Sequence, residues 1–422
     1  MTTAVPRRIL VVTHYFPPEI GAPQSRLSEF PRYWSLRGEG VTVLTGMPNH
    51  PTGIVHPGYR GRRRIIEAKD GYRIVRTWLF ATPNDAIVRK TLGHLSFMVT
   101  SVVLGMKPSG PADVVVVSSP TFFSIFGAWV LAKAKRAALV VEVRDLWPAI
   151  FIELGVLSDR RLIWVLERLE LWAYRAADQV VVVSEGFRDD LLRRGVPGTK
   201  VHVVRNGVDP DRFEPTASSA EGRAALGVPD GAVLALYLGA HGISQGLESV
   251  VEAGAALQGD GVHVAFVGEG AAKDRVMARA ETLNATNMSF HPGVPSAKVP
   301  DLLAAADICL VPLRDVPLFS SFIPSKIFEY LAAGKAVVGS VRGEPAAILR
   351  QAGAVVVEPE DPAQLANALR ALAKDPDRRR QMGAEGRRFV EAKFDRRTLA
   401  DEYLRILDTC VNGPAETRTS HV

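Results

Sequence analysis

Ser321-Phe-Ile-Pro-Ser-Lys-Ile-Phe-Glu-Tyr-Leu-Ala-Ala-Gly-Lys-Ala-Val-Val338 places one lysine, Lys326, and one glutamate, Glu329, at a predicted helix start, with a short β-branched run behind it. Ser325 is positioned to cap that helix, and Ile327, Phe328, Tyr330 and Leu331 give it an apolar side to bury. Orphan backbone N–H groups and the positive end of the helix dipole then point outward, and Lys326 adds a full charge beside them. Such a position suits an anion. Glu329, one turn further, would repel a phosphate but can accept two hydrogen bonds from the vicinal hydroxyls of a ribose. The set reads as a nucleotide diphosphate site. Taken alone, the segment is explained equally well by a capped surface helix with an ordinary Lys/Glu pair.

Outward from this segment, strands alternate with helices twice over. Val233 to Leu238, Val262 to Val267, Ile308 to Val311, Ala336 to Val338 and Ala354 to Val357 form one series of short apolar runs. An earlier series comprises Ile9 to Thr13, Val41 to Thr45, Val114 to Val117, Leu139 to Val143, Val180 to Val183 and Val201 to Val204. Nearly continuous β-branched runs suit parallel strands covered on both faces. Amphipathic segments lie between them, the clearest being Asp159 to Ala177 with Leu162, Val165, Leu166, Leu169 and Trp172 at helical spacing. This is the βαβ pattern of two α/β, doubly wound sheets. Asn206 to Ala220, rich in Asp, Pro and Ser, is the expected linker.

A chain of 422 residues suits two such domains better than one core. Its two cysteines, Cys309 and Cys410, have neither metal-ligand nor redox spacing. The N-terminus runs into a strand without a separate apolar region and cleavage site, so the expected location is cytoplasmic. The apolar stretches Phe97 to Met106 and Phe122 to Ala132 fall short of the ~20 residues a bilayer span needs. Arg60, Arg62, Arg63 and Arg64 form a basic knot. A solvated loop accounts for it, and contact with a phosphorylated acceptor or with anionic head groups on the inner face of the plasma membrane is the alternative. Nucleic acid is disfavoured as a partner, because no basic stripe interleaved with aromatics accompanies the knot.

Ligands of open parallel sheets bind beyond the carboxyl ends of the strands, and the remaining candidates sit at such ends. They are Tyr15-Phe-Pro-Pro-Glu-Ile-Gly-Ala22, Arg144-Asp-Leu-Trp-Pro148, Asn206-Gly-Val-Asp209, the glycine-rich turn Gly239 to Gly246, Gly268-Glu-Gly270 and His291-Pro-Gly-Val294. Together with Pro324 to Val338, these segments resemble the retaining glycosyltransferases of family 4, especially bacterial polysaccharide enzymes of the fucosamine-transferase type. The resemblance implies the GT-B fold, in which two Rossmann-like domains face each other across a cleft. It implies an acceptor domain over residues 1–208, a nucleotide-sugar domain over 209–395, and a terminal helix over 396–412 that crosses back to the first domain. Residues 413–422 are expected to be a disordered tail.

Carried onto this sequence, the resemblance makes Gly21, Gly239, His241, Gln245, Gly268, Glu269, Val294, Ser321, Ser325, Lys326 and Glu329 donor contacts. It sets Arg144 and Arg26 toward the acceptor, and Asp145 beside Lys326 as the catalytic pair. The chain departs from the family pattern in three places. Gly21 is followed by Ala22 rather than a second glycine, His241 and Gln245 stand where many members carry Arg and Lys, and Ser321 replaces a glutamate. Two Asp-Pro-Asp sequences, Asp209 to Asp211 and Asp375 to Asp377, have the spacing of a metal-nucleotide site, but turn or helix initiation explains both. No metal or cofactor is therefore expected.

The expected activity is transfer of an N-acetylhexosamine or deoxy sugar from a UDP-sugar to a hydroxyl of a glycan, lipid-linked or small-molecule acceptor, with retention. The rivals are a UDP-N-acetylglucosamine 2-epimerase-like enzyme, a natural-product glycosyltransferase and a non-catalytic nucleotide-binding subunit.

Overall fold

The computed structural model describes residues 6–412 apart from 20, 21, 51, 84–86, 120, 154, 156 and 215–218. Two units divide the chain: residues up to Arg205 joined by those from Arg396 onward, and Asn206–Asp395. The proposed tail, 413–422, lies outside the described residues.

In the first unit the strands are β1 (Arg8–Val12), β2 (Gly40–Gly46), β3 (Arg64–Lys69), β4 (Tyr72–Thr77), β5 (Val114–Ser119), β6 (Ala138–Val143), β7 (Gln179–Val182) and β8 (Val201–Val203). They form one sheet in the order β3-β4-β2-β1-β5-β6-β7-β8. Every pairing is parallel except the β3–β4 hairpin. In the second unit β9 (Val233–Leu238), β10 (Val262–Val267), β11 (Met288–His291), β12 (Ile308–Pro312), β13 (Ala336–Ser340) and β14 (Val355–Val357) form an all-parallel sheet in the order β11-β10-β9-β12-β13-β14. Both sheets reverse winding direction beside their first strand, and the crevice at such a switch point is where this architecture binds ligands.

Sequence and structure differ in five elements. β3 and β11 lie at sheet edges with half-buried or exposed side chains, so neither shows an apolar run, and β4, although mostly buried, was missed because Arg73 and Arg76 interrupt its run. Arg64 of the basic knot begins β3, while Arg60, Arg62 and Arg63 are exposed ahead of it. The expected linker is in good part packed: Val208 donates to the Phe394 carbonyl (3.0 Å), and Val208 and Phe213 are buried in the second unit. The fifth difference is the helix Arg160–Ala176. It buries Glu170, Ala173 and Tyr174, while Leu162, Val165, Leu169 and Trp172 of its apolar stripe are exposed.

The terminal helix Arg396–Asn412 packs with the first unit. Leu399, Ala400, Tyr403, Leu404 and Leu407 join Ile9, Phe30 and Trp34 in one core, and the Trp34 indole donates to the Ala400 carbonyl (3.1 Å). Each large apolar side chain so buried contributes about 1.5–3 kcal/mol of transfer free energy. Among the described residues no helix is long and apolar enough to cross a membrane.

Candidate functional site

In the second unit the candidate site is built where β9 ends. Tyr330 fixes the geometry: its hydroxyl donates to the Leu238 carbonyl (2.9 Å) and accepts from the Leu238 N–H (3.0 Å). This anchors the helix Lys326–Ala332 against the strand terminus, so Lys326, one turn earlier, projects over Gly239. The Lys326 stem reaches the surface, but its ammonium nitrogen is buried without a hydrogen-bond partner. It lies 3.8 Å from the centre of the Tyr237 ring, while the Tyr237 hydroxyl donates to the Ala240 carbonyl (2.6 Å) and steadies the turn. Burial lowers the Lys326 pKa to about 7, with nearby Glu329 pulling the other way.

The glycines of the two neighbouring turns allow this approach. Gly239 has a φ of +147°, and a Cβ there would stand 2.8 Å from the Lys326 nitrogen. A Cβ at Gly268 would stand 1.9 Å from the Gly239 carbonyl oxygen. His241 is fully buried with both ring nitrogens lacking a hydrogen-bond partner, and Gln245 Oε1 is likewise buried and unpartnered. Burial first, then Lys273 and Lys326, brings the His241 pKa down to about 4. Three polar side chains at one pair of turns thus hold unused hydrogen-bonding capacity, one of them a buried cation. A buried ammonium without an acceptor is costly, and an anionic, oxygen-rich ligand would satisfy it.

Lys273, which sequence reasoning passed over, joins this end of the sheet, but its ammonium donates to Glu269 (2.8 Å) and to the Gly268 (3.0 Å) and His291 (3.3 Å) carbonyls. Glu269 is thereby tied to its neighbours and also accepts from the Gly293 N–H. Glu329 and Val294 are half-buried, as is Ser321 at the end of the 3-10 helix Pro317–Ser321. Beside that helix a cavity of about 360 Å³ is lined by Arg314, Phe319, Ser320 and Arg342 among others. Ser325 does not cap: its φ and ψ are helical and its side chain makes no capping bond. Asp209 and Asp375, by contrast, do cap, accepting from the N–H groups of Asp211 and Arg378.

In the first unit Arg144 and Asp145 follow β6, as the sequence suggests. Burial raises the Asp145 pKa against the pull of Arg144, and lowers that of Arg144 to about 10. Arg26 is corrected: it is 2% exposed, 3.3 Å from Glu142, and donates to the Val204 (3.0 Å) and Arg205 (2.7 Å) carbonyls. Its guanidinium holds the core together rather than facing an acceptor. Glu142, unremarked in the sequence, is the shared carboxylate, with Arg144 4.0 Å away and the Ser118 hydroxyl donating at 3.2 Å. Gly21 lies outside the described residues, just ahead of the helix Ala22–Leu36.

Two doubly wound α/β domains define the GT-B architecture. Matches to known families agree: residues 21–207 match the glycosyl transferase 4-like domain and residues 218–389 match the glycosyl transferases group 1. The chain is 26% identical over 410 residues to WcaI of Escherichia coli (strain K12), described as a candidate colanic acid biosynthesis glycosyl transferase, covering 94% of this chain and 98% of that one. Among solved structures it is similar to sucrose-phosphate synthase of Thermosynechococcus elongatus, with a TM-score of 0.75, 19% identity, and 97% of this chain and 100% of that one covered. It is also similar to Anabaena HepE, solved with UDP and glucose, with a TM-score of 0.71, 16% identity, and 96% and 100% covered. The chain belongs to the GT-B glycosyltransferases of family 4 type, with a 4-like domain followed by a group 1 domain.

Proposed function

We propose that this glycosyltransferase uses a UDP-sugar as donor and builds a cell-surface polysaccharide or glycoconjugate with retention at the anomeric carbon. The observation that carries the donor reading is the buried, unpartnered Lys326 ammonium beside Gly239. A diphosphate there would restore the missing partner, and the charge that grows on it as the glycosidic bond breaks would be held by a group already in place. Glu329 would accept from the ribose hydroxyls, and Ser321 and Val294 would flank the sugar and base. UDP as the nucleotide is supported by the fold shared with HepE, which was solved with UDP. The polysaccharide setting is supported by full-length similarity to WcaI. An N-acetylhexosamine or deoxy sugar remains the proposed donor sugar.

Departure of UDP leaves positive charge on the sugar, and the acceptor hydroxyl attacks the same face, giving up its proton to a donor phosphate oxygen. Asp145 is the proposed polar group beside that centre. Metal is not invoked, so chelation by EDTA is expected to leave turnover unchanged, and rescue by one divalent ion after complete loss would overturn this part.

Calorimetric titration with UDP, followed by mass spectrometry of products over a matrix of donors and acceptors, tests the whole reading. UDP binding together with a glycosylated product supports it. Binding without any sugar loss would favour a nucleotide-binding subunit, a reading motivated by His241 and Gln245 in the glycine-rich turn. Conversion of UDP-N-acetylglucosamine without an acceptor would favour an epimerase.

A further inference from the structure

The helix Arg160–Ala176 in the first unit has its amphipathic pattern turned outward. Trp164 is 57% exposed, and Leu162, Val165, Leu169 and Trp172 are exposed with it. Its inward side holds small or polar groups: Ala173, Tyr174, and Glu170 paired with Arg194. The helix is not isolated at this surface. Trp172 stacks on Phe126 (5.6 Å between ring centres), Phe126 meets Phe122 (5.3 Å), Phe122 stacks on Trp147 (4.5 Å), and Trp147 meets Phe151, which is also exposed. An aromatic ladder therefore runs from the helix to the segment two residues beyond Asp145.

An exposed apolar face of this extent calls for an occupant. Its charges decide which. Along the helix the exposed charged residues are Arg160, Arg161, Arg168 and Arg175 against Glu167, and the Arg168 guanidinium lies 4.8 Å over the Trp164 ring. A second copy would set arginines against arginines. A surface of anionic lipid instead complements them, and tryptophan with flanking arginine suits the boundary between head groups and acyl chains.

We propose that the outward face of the helix Arg160–Ala176 docks this chain on an anionic membrane surface, lying in the interface without crossing it. The basic knot at Arg60 to Arg64, singled out in the sequence for such contact, has Ile66 and Trp78 exposed beside it but no aromatic ladder leading toward Asp145, and it is the rival element that its neutralised variant tests. Presentation of a lipid-borne acceptor near Asp145 would follow from docking; that further step rests on the glycosyl-transfer reading, whereas docking itself is tested without substrates.

The full chain is floated with vesicles of phosphatidylcholine alone and of phosphatidylcholine mixed with phosphatidylglycerol. Binding is expected to the anionic vesicles, to weaken with salt, and to fall about tenfold or more in Val165→Glu/Leu169→Glu. Since both positions are exposed, the variant is expected to fold, and hydrogen exchange on the unmodified protein supplies an independent readout: residues 160–176 gain protection when anionic vesicles are added. Failure of the unmodified protein to float, undiminished flotation of the variant, or unchanged exchange in this helix would overturn the proposal. So would loss of flotation on neutralising Arg60, Arg62, Arg63 and Arg64 while the helix variant still floats. A dimer seen by light scattering and broken by the helix variant would show that a second copy covers the face, which also overturns it.

Discussion

The Lys326 ammonium sits 3.8 Å from the centre of the Tyr237 ring, buried and without a hydrogen-bond acceptor. A π face offers a cation some attraction but no lone pair, so it replaces only part of what water gave. The residue is held there by the Tyr330 hydroxyl, which ties its helix to Leu238. The free protein thus carries an electrostatic cost at the place where a diphosphate is proposed to bind.

Lys326→Met removes that cost while keeping the stem's packing. The variant is expected to be more stable than the parent without ligand, by about 1–2 kcal/mol, as when buried charges give way to apolar groups of similar size. Turnover is expected to fall roughly a hundredfold or more, with UDP affinity falling less, because the charge on the leaving diphosphate is greatest in the transition state. Thermal melts and steady-state rates check both. Near-normal turnover in the folded variant would move the electrostatic role to another cation.

The Lys326 pKa of about 7 lies below the value near 10.5 for an unburied lysine. Between these values the unfolded chain binds more protons than the folded one, so this group makes stability rise with pH across that window. The stability deficit of the parent against Lys326→Met should accordingly be full below about pH 7 and shrink above it. UDP, by giving the ammonium a partner, should restore its proton: at about pH 8 binding is accompanied by proton uptake, and at about pH 6 the uptake from this group vanishes. Calorimetry in buffers of different ionisation enthalpy measures it. Uptake that persists unchanged in Lys326→Met would assign the proton elsewhere.

Glu329→Ala tests the ribose end of the site. If the carboxylate accepts from both hydroxyls, its loss costs at most about 1.5–3 kcal/mol per bond, and UDP affinity drops while the fold stays intact. Titration with UDP against the unmodified protein reads this directly. An unchanged dissociation constant would take Glu329 out of the site.

Sequence periodicity was sufficient where a buried strand is also a continuous apolar run, and it missed the buried Tyr72–Thr77, whose run is broken by Arg73 and Arg76. Val233–Leu238 and Val262–Val267 are buried along nearly their whole length, and their strands coincide with the apolar runs. It was insufficient at edges, where Arg64–Lys69 alternates between exposed and half-buried positions. It also misled in the helix Arg160–Ala176, because a 3.6-residue period reports that a helix has an apolar face but not whether protein lies against it. The Lys326 segment was legible as a candidate site from local order. Its approach to Gly239 and Tyr237 was not, since it depends on the β9–β12 crossover bringing distant residues together. The internal role of Arg26 was hidden for the same reason: its partner Glu142 stands on β6.

Gly239→Ala and Gly268→Ala separate binding from folding at one pair of turns. At Gly239 the added methyl would meet the Lys326 Nζ at 2.8 Å and Cε at 3.2 Å, the far end of a flexible side chain that can swing aside. The backbone at φ +147° adds strain of about 1–3 kcal/mol, which a folded domain of this size tolerates. At Gly268 the methyl would fall 1.9 Å from a backbone carbonyl oxygen, which cannot yield without opening the turn. Gly239→Ala is therefore expected to fold with a modest loss of melting temperature and to bind UDP about tenfold more weakly, since Lys326 is displaced. Gly268→Ala is expected to lose more stability than Gly239→Ala before any effect on binding is considered. Thermal melts and UDP titration of the two variants side by side make the comparison, and parent-like UDP affinity in Gly239→Ala would mean that the position Lys326 holds over Gly239 is not the one in which it meets the diphosphate.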